Sequence, residues 1–323
     1  MKRNNERRMK ILHITTHMGG GAGHAISDLV LHDKQNCHCI ILLQKPEKTK
    51  YIDLCIENGI DVFVEVSIKI IVDLMKKTDI VILHWWHHPL MCRFLNDFPE
   101  EPVRLILWSH ISGCTYPLLS YRFASKFFKI FFTSQYSLEN PNWLESEREK
   151  ICNMSCVIWG LSEVSAMQSK CDYRLKNDKY KIGYTGTLAR SKIHPEFPTI
   201  CKKILDAVPK AEFYLLGDKE SGAWMIDKLQ KLGIADKVHL EGDVNNVNDW
   251  LRDFDIFGDP LNPYQFATTE NSILEAMSVG LPVVLLNQAT EKYIVTHKED
   301  GILADGIDDY VAWIVKLGGG MEN

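Results

Sequence analysis

Short continuous apolar runs alternate with longer amphipathic stretches along most of the chain. In the first half the runs predict strands over Lys10–Thr15, Cys39–Leu43, Asp61–Val64, Ile80–Leu83, Arg104–Trp108, Ile130–Phe132 and Cys156–Trp159. After a polar, charged stretch that begins near Leu161, the rhythm restarts at Lys181–Tyr184, Glu212–Leu216, Lys237–Leu240, Asp255–Phe257, Pro282–Leu286 and Gly301–Leu303. Runs that are apolar at every position, rather than at every second one, are those of strands covered on both faces. Strands that alternate with helical patterns make βα units and hence parallel sheets. The fold class is therefore α/β, with two doubly wound parallel-sheet domains facing a cleft. A basic arm is expected over residues 1–9, a first domain over 10–165, a linker over 166–179 and a second domain over 180–323.

The best punctuated segment is Asp259–Leu286. Thr268 and Thr269 are hydroxyl N-cap types and Glu270 is an acid suited to a first turn. Ile273, Leu274 and Met277 form an apolar stripe, and Gly280 with Pro282 ends it. A buried strand follows at once, so this helix is expected to begin at the carboxyl edge of the sheet. Ligands of open α/β sheets bind at that edge, and the free N–H groups of a helix start suit an anion. Thr268, Thr269 and Asn271 are thus candidate substrate contacts. Glu275 interrupts the apolar stripe, where an unbonded carboxylate would cost several kcal/mol.

At 323 residues the chain suits two α/β domains, and its 46% hydrophobic and 24% charged content is that of a globular protein. A net charge of −5 gives no nucleic-acid signal, although MKRNNERRMK at the start is locally basic. That start lacks the apolar core of a signal peptide, and no run reaches the roughly eighteen residues of a membrane span. The nine cysteines show no zinc-type spacing, which points to free thiols in a reducing cytoplasm.

Three loops carry candidate chemistry. Met18-Gly-Gly-Gly-Ala-Gly-His24 follows the first strand, and Gly20 and Gly21 would let a backbone approach a phosphate or sugar; the spacing is not that of the dinucleotide fingerprint. Gly183-Tyr-Thr-Gly-Thr-Leu-Ala-Arg190-Ser-Lys192 opens the second domain with a glycine turn at Gly186 and Thr187 and then two cations, which can neutralise a leaving diphosphate. His84 and His110 end two strands of the first domain and would face the cleft. A metal site on His84, His87 and His88 lacks a nearby carboxylate or cysteine, and Asp253-Phe-Asp255 reads as a chance match, so no metal is expected. Tyr121–Lys129 interleaves cations and aromatics as an interfacial helix does, although Phe123, Phe127 and Ile130 also fit a core.

Together these residues resemble the retaining GT-B glycosyltransferases, specifically glycosyltransferase family 4 (glycosyl transferases group 1). The shared pattern includes the first glycine loop, WSHISG, the glycine turn with its lysine, Leu216-Gly-Asp218, VHLEGDVNNVNDWLRDFDIF and LEAMSVGLPVV. The family pattern of Pro, Glu, seven residues and Glu places Pro263 and Glu275, the latter on the nucleotide ribose. Ala267 stands where the first glutamate belongs, Thr187 where an arginine belongs, and the helices that usually close the fold after Gly301 are expected to be absent.

The resemblance implies a GT-B fold of two Rossmann-like domains. It implies a metal-independent, retaining hexosyl transfer from a nucleotide-diphosphate sugar to a glycan or lipid-linked acceptor, in cell-surface polysaccharide synthesis. No cofactor is implied. His110, Arg190, Lys192 and Glu270 are the catalytic candidates, with His110 on the transferred sugar. Gly20, Gly21, Gly186, Thr187, Thr268, Thr269, Asn271 and Glu275 are the substrate-binding candidates. The expected location is the cytoplasm, with peripheral contact to the inner face of the membrane. The rivals are a non-catalytic nucleotide-sugar-binding subunit and another GT-B enzyme, an epimerase or a phosphorylase.

Overall fold

The computed structural model describes residues 7–159 and 179–319. The chain divides into two compact units, Met1–Ser162 and Glu163–Asn323. The expected linker lies outside the described residues except for Lys179, and the expected basic arm is described from Arg7 onward.

The first unit holds a seven-stranded parallel sheet: β1 (Lys10–Thr15), β2 (Cys37–Leu42), β3 (Asp61–Val64), β4 (Ile80–Trp85), β5 (Leu105–Ser109), β6 (Lys129–Phe132) and β7 (Ser155–Val157), in the order β3-β2-β1-β4-β5-β6-β7. The second holds a six-stranded parallel sheet: β8 (Tyr180–Thr185), β9 (Ala211–Leu216), β10 (Val238–Gly242), β11 (Ile256–Asp259), β12 (Val283–Leu286) and β13 (Ile302–Ala304), in the order β10-β9-β8-β11-β12-β13. Every expected strand is present, and the differences are at the ends. β4 runs on through His84 and Trp85 because β5 pairs them with Trp108 and Ser109, and β11 runs on to Asp259, paired with Leu285. Local apolarity stops before these residues, but the ladder does not.

In both sheets the strand order reverses beside the first strand of the unit, between β1 and β4 and between β8 and β11. Such a switch point leaves a crevice at the carboxyl ends of the strands. Layers of buried aliphatic and aromatic side chains cover both sheets. The interfacial helix expected over Tyr121–Lys129 is not formed. Tyr121–Ala124 makes a single turn, Phe123 packs on Trp85 with ring centroids 4.7 Å apart, Phe127 is buried, and Lys129 opens β6. The aromatic spacing serves the core. No described helix is long and apolar enough to cross a membrane, and no disulfide joins the described cysteines.

Candidate functional site

The carboxyl edge of the second sheet is built from the loops after β8, β9 and β11. Gly186 follows β8 with φ 140°, and its N–H donates to the carbonyl of Leu216 at 2.9 Å. Gly217 packs against it so closely that a β-carbon there would lie 2.0 Å from the Gly186 carbonyl oxygen. The chain from Ala189 to His194 is then zipped to the loop after β11: His194 N–H donates to Pro260, Asn262 N–H to Lys192, and the Asn262 amide to Arg190. This brings Lys192 and Glu270, seventy-eight residues apart, into an ion pair with side chains only 14% and 6% exposed.

Glu270 is the N-cap residue of the helix Asn271–Ser278, not a first-turn acid; Thr268 and Thr269 precede the cap. Its carboxylate reaches Lys192 instead of an N–H of its own helix. Asp259 and Glu291, both fully buried, lie in the same electrostatic cluster. Burial, and then the charge of Glu270, pushes the Asp259 carboxyl well above the usual carboxylate range, against the pull of Lys192. Neither Asp259 oxygen has a hydrogen-bond partner among the described residues. Burial and the same charge push Glu291 up to about 8. Three carboxyl groups share one ammonium here, and burial together with their mutual repulsion favours the protonated forms of Asp259 and Glu291.

This makes stability depend on pH with a definite sign. Glu291 releases its proton near 4.5 in the unfolded chain and near 8 when folded, so the folded state binds the extra proton between those values. The stability it confers is complete below 4.5 and lost as pH rises through 8. Glu291→Gln should therefore melt with the parent near pH 5 yet exceed it by roughly 2 kcal/mol or more at pH 9. Parallel melting profiles from pH 5 to 9 would overturn this assignment.

The other predicted residues of this unit fall around the pair. Gly186 and Thr187 are exposed at the turn, where the Thr187 carbonyl accepts from the Tyr184 phenol at 3.0 Å. Arg190 is exposed, with its guanidinium 5.0 Å from the centroid of the Trp224 ring. Thr268 is buried and its carbonyl accepts from the Thr290 hydroxyl at 2.6 Å, so it anchors the loop. Asn271, the first helical residue, keeps a buried side-chain oxygen with no hydrogen-bond partner among the described residues. Its N–H and that of Ser272 lack intrahelical acceptors, as in any helix start. Glu275 lies one turn on and is half-buried, less costly than the apolar stripe implied.

In the first unit Gly20 and Gly21 are exposed at the start of the helix Gly20–His32. A β-carbon on either meets nothing within 4 Å, whereas one on Gly23 would lie 2.0 Å from the Met18 carbonyl oxygen. The glycine required by packing is therefore Gly23, and the loop ahead of it leaves open space. His110 follows β5, its N–H donating to Trp85 at 2.8 Å and its ring stacked on Trp108 with centroids 5.1 Å apart. Its Nε2 meets Nδ1 of His84 at 2.9 Å.

His84, His87 and His88 do not converge. His84 bonds to His110, while His88 Nδ1 accepts from Leu90 N–H. Asp255 accepts from Lys181 N–H and Asp253 pairs with the Lys181 ammonium, a structural use of that triplet. No group of three or more His, Cys, Asp or Glu among the described residues is arranged to hold a metal ion.

Sequence reasoning missed Asp259, Glu291, Tyr184, His13, His38 and Asp33. Nothing local in the sequence marks Asp259 or Glu291 as buried; only tertiary packing buries them. The missed signal for His13 and His38 was a histidine inside an apolar strand.

Residues 179–318 match the family described as Glycosyl transferases group 1. Among curated proteins the chain is similar to the 2-deoxystreptamine N-acetyl-D-glucosaminyltransferase of Niallia circulans, 24% identical over 137 residues, which are 41% of this chain and 34% of that protein. It is also similar to the lipopolysaccharide core biosynthesis mannosyltransferase LpsB of Rhizobium meliloti, 32% identical over 90 residues, or 27% of this chain and 24% of that one. The chain thus spans about a third or less of the length of these relatives. Among solved structures, HepE of Anabaena in complex with UDP and glucose superposes with a TM-score of 0.70 at 15% identity, over 96% of this chain and 89% of that one. A glycosyltransferase from Rickettsia africae does so with 0.73 at 13% identity, over 97% and 89%. The apo lipopolysaccharide outer core galactosyltransferase WaaB gives 0.66 at 16%, over 97% and 91%. The fold is that of the GT-B glycosyltransferases, two Rossmann-like units.

Proposed function

We propose that this chain is a retaining, metal-independent hexosyltransferase that moves a sugar from a nucleotide-diphosphate donor to a glycan or lipid-linked acceptor in cell-surface polysaccharide synthesis. The observation that carries the reading is the Lys192–Glu270 pair at the edge of the second sheet, between the Gly186 turn and the helix start at Asn271. It lies inside the stretch that matches the glycosyl transferase family. Lys192, with Arg190 and the N–H groups of Asn271 and Ser272, takes up the charge that develops on the departing diphosphate, as a preorganised cation and dipole site does. Glu270 accepts from the transferred sugar, Glu275 from the ribose, and His110 contacts the sugar. Relatives that act on N-acetylglucosamine and mannose, and a structural neighbour that holds UDP and glucose, support a hexose donor.

The test incubates the protein with UDP-, GDP- and ADP-hexoses, with and without oligosaccharide or lipid-linked acceptors, and follows nucleoside diphosphate release. Anomeric configuration of the product decides retention, and EDTA should leave the rate unchanged. Release only with acceptor supports transfer; release without it, or isomerised donor, supports another GT-B activity. A second reading, nucleotide-sugar binding without turnover, draws on Ala267 and on the neutralisation of Lys192 by Glu270. No donor consumed, with thermal stabilisation by nucleotide (roughly 2.7 kcal/mol at a hundredfold excess over Kd), would favour it. Peripheral membrane contact in the cytoplasm completes the proposal; flotation with liposomes that shows no dependence on anionic lipid would end that part.

Glu275→Gln should weaken nucleotide and nucleotide sugar alike, by about tenfold, because the lost acceptor serves their shared moiety and a charge-assisted hydrogen bond is worth roughly 1.5–3 kcal/mol. Calorimetric titration with free nucleoside diphosphate measures it. Unchanged affinity in a folded variant removes Glu275 from the ribose.

A further inference from the structure

Four histidines of the first unit and one aspartate form a continuous hydrogen-bonded row. His110 Nε2 meets His84 Nδ1 at 2.9 Å, His84 Nε2 meets His13 Nδ1 at 2.9 Å, His13 Nε2 meets His38 Nδ1 at 3.0 Å, and His38 Nε2 meets Asp33 Oδ2 at 3.1 Å. The sheet register produces this row. His38 pairs with Ile11, two residues before His13; His13 pairs with Ile82, two before His84; and His84 pairs with Trp108, two before His110. Residues two apart share a face of a strand, so each step crosses to the neighbouring strand and climbs one repeat on the same face. The strand order β2-β1-β4-β5 is what makes the steps adjacent.

Every ring-to-ring link joins Nε2 of one imidazole to Nδ1 of the next, so the row has a direction. A neutral imidazole carries one N–H and one lone pair, and a link at these distances needs one proton between its two nitrogens. Asp33 fixes which end gives. Although partial burial opposes it, hydrogen bonds from Asn36, His38 and Gln35 hold its carboxyl below the usual range, so it is an acceptor only. His38 therefore donates from Nε2 and accepts at Nδ1, which forces the same tautomer on His13, then His84, then His110. Burial keeps the interior rings neutral: His13 is lowered to about 3, and His84 falls well below its ordinary value. Reversing one ring would set two N–H groups, or two lone pairs, face to face in a buried link, which leaves polar atoms there unsatisfied.

We propose that Asp33, His38, His13 and His84 are positioning residues that lock His110 in the Nε2–H tautomer and turn its Nδ1 lone pair outward as a hydrogen-bond acceptor. His110 is half-buried, and its Nδ1 has no hydrogen-bond partner among the described residues. The ligand group that fits there is a donor, a hydroxyl, and a carbonyl or phosphate oxygen is rejected. This deepens the sugar contact proposed for His110. It also makes a half-buried loop carboxylate, at the far end of the row, part of that contact.

The experiment reads the tautomers directly, without substrate, by long-range proton–nitrogen NMR on protein labelled at the histidine ring nitrogens, with the four resonances assigned by single His→Gln variants. The parent should show His110 with a protonated Nε2 and a lone pair on Nδ1, and His84 and His13 the same. Asp33→Leu, which removes the terminal acceptor, should shift the His110 ring nitrogens toward averaged values as the row loses its direction. Asp33→Asn, whose amide oxygen still accepts, should restore the parent signals. A parent His110 protonated on Nδ1, or His110 signals unmoved in a folded Asp33→Leu protein, overturns the proposal. Because no turnover is measured, an absence of transferase activity would refute the proposed function and leave this test standing.

Discussion

Replacing Lys192 with methionine should destabilise the second unit by about 3–5 kcal/mol, the cost of removing one partner from a buried ion pair. Glu270 would be left with a 6% exposed side chain beside Asp259 and Glu291, and no other cation contacts it among the described residues. The effect belongs to the abandoned carboxylate more than to the lost lysine. Lys192→Met with Glu270→Gln should consequently recover most of the loss, since the pair is then replaced by groups that need no counter-charge. Chemical denaturation of the parent, both single variants and the double variant closes the cycle. Transfer should not recover with stability: without Lys192 the diphosphate loses a preorganised cation, worth roughly a hundredfold to a thousandfold in rate. A double variant that regains both stability and turnover would remove Lys192 from the chemistry and leave it a structural residue.

Glu270→Ala should lower transfer by about ten- to hundredfold while free nucleoside diphosphate binds at least as tightly as to the parent. Two consequences of one deletion are involved. The sugar loses a charged acceptor at the helix start, and Lys192 loses the carboxylate that neutralises it and becomes more available to phosphate oxygens. This is the opposite pattern from Glu275→Gln, so the two variants separate a sugar contact from a ribose contact within one helix. Steady-state rates and titrations with the same nucleotide decide between them. If Glu270→Ala transfers at the parent rate, Glu270 serves only to hold Lys192, and the sugar contact lies elsewhere.

The strands were legible because they are covered on both faces, and a run such as IVIL or VVLL carries that fact locally. Their ends were less so: His84, Trp85 and Asp259 belong to strands because a neighbouring strand pairs them, which no window of the sequence contains. The same division runs through the candidate site. Lys192 and Glu270 were each readable from loop context, as a cation after a glycine turn and an acid at a helix start. Their pairing was not, because it depends on two distant loops being zipped together by backbone hydrogen bonds. Glu291 opens the short helix Glu291–Ile294 with no local mark of burial, and its displaced proton equilibrium comes from tertiary burial and then from the charge of Glu270. The histidine row lay furthest from view, since it exists only once the order of four strands and their register are known.

The contact between Gly186 and Gly217 also bears on how this site can diverge. With a β-carbon at position 217 placed 2.0 Å from a backbone oxygen, no rotamer change relieves the overlap, and the position is closed to the other nineteen amino acids. Thr187 and Arg190 hang from the same loop but are exposed, so they can be exchanged without disturbing that contact. Drift is therefore steered: the path of the main chain is frozen by steric exclusion, while the side chains it displays stay open to selection. Under the proposed function, new donor preferences would arise on this scaffold by changing the display alone.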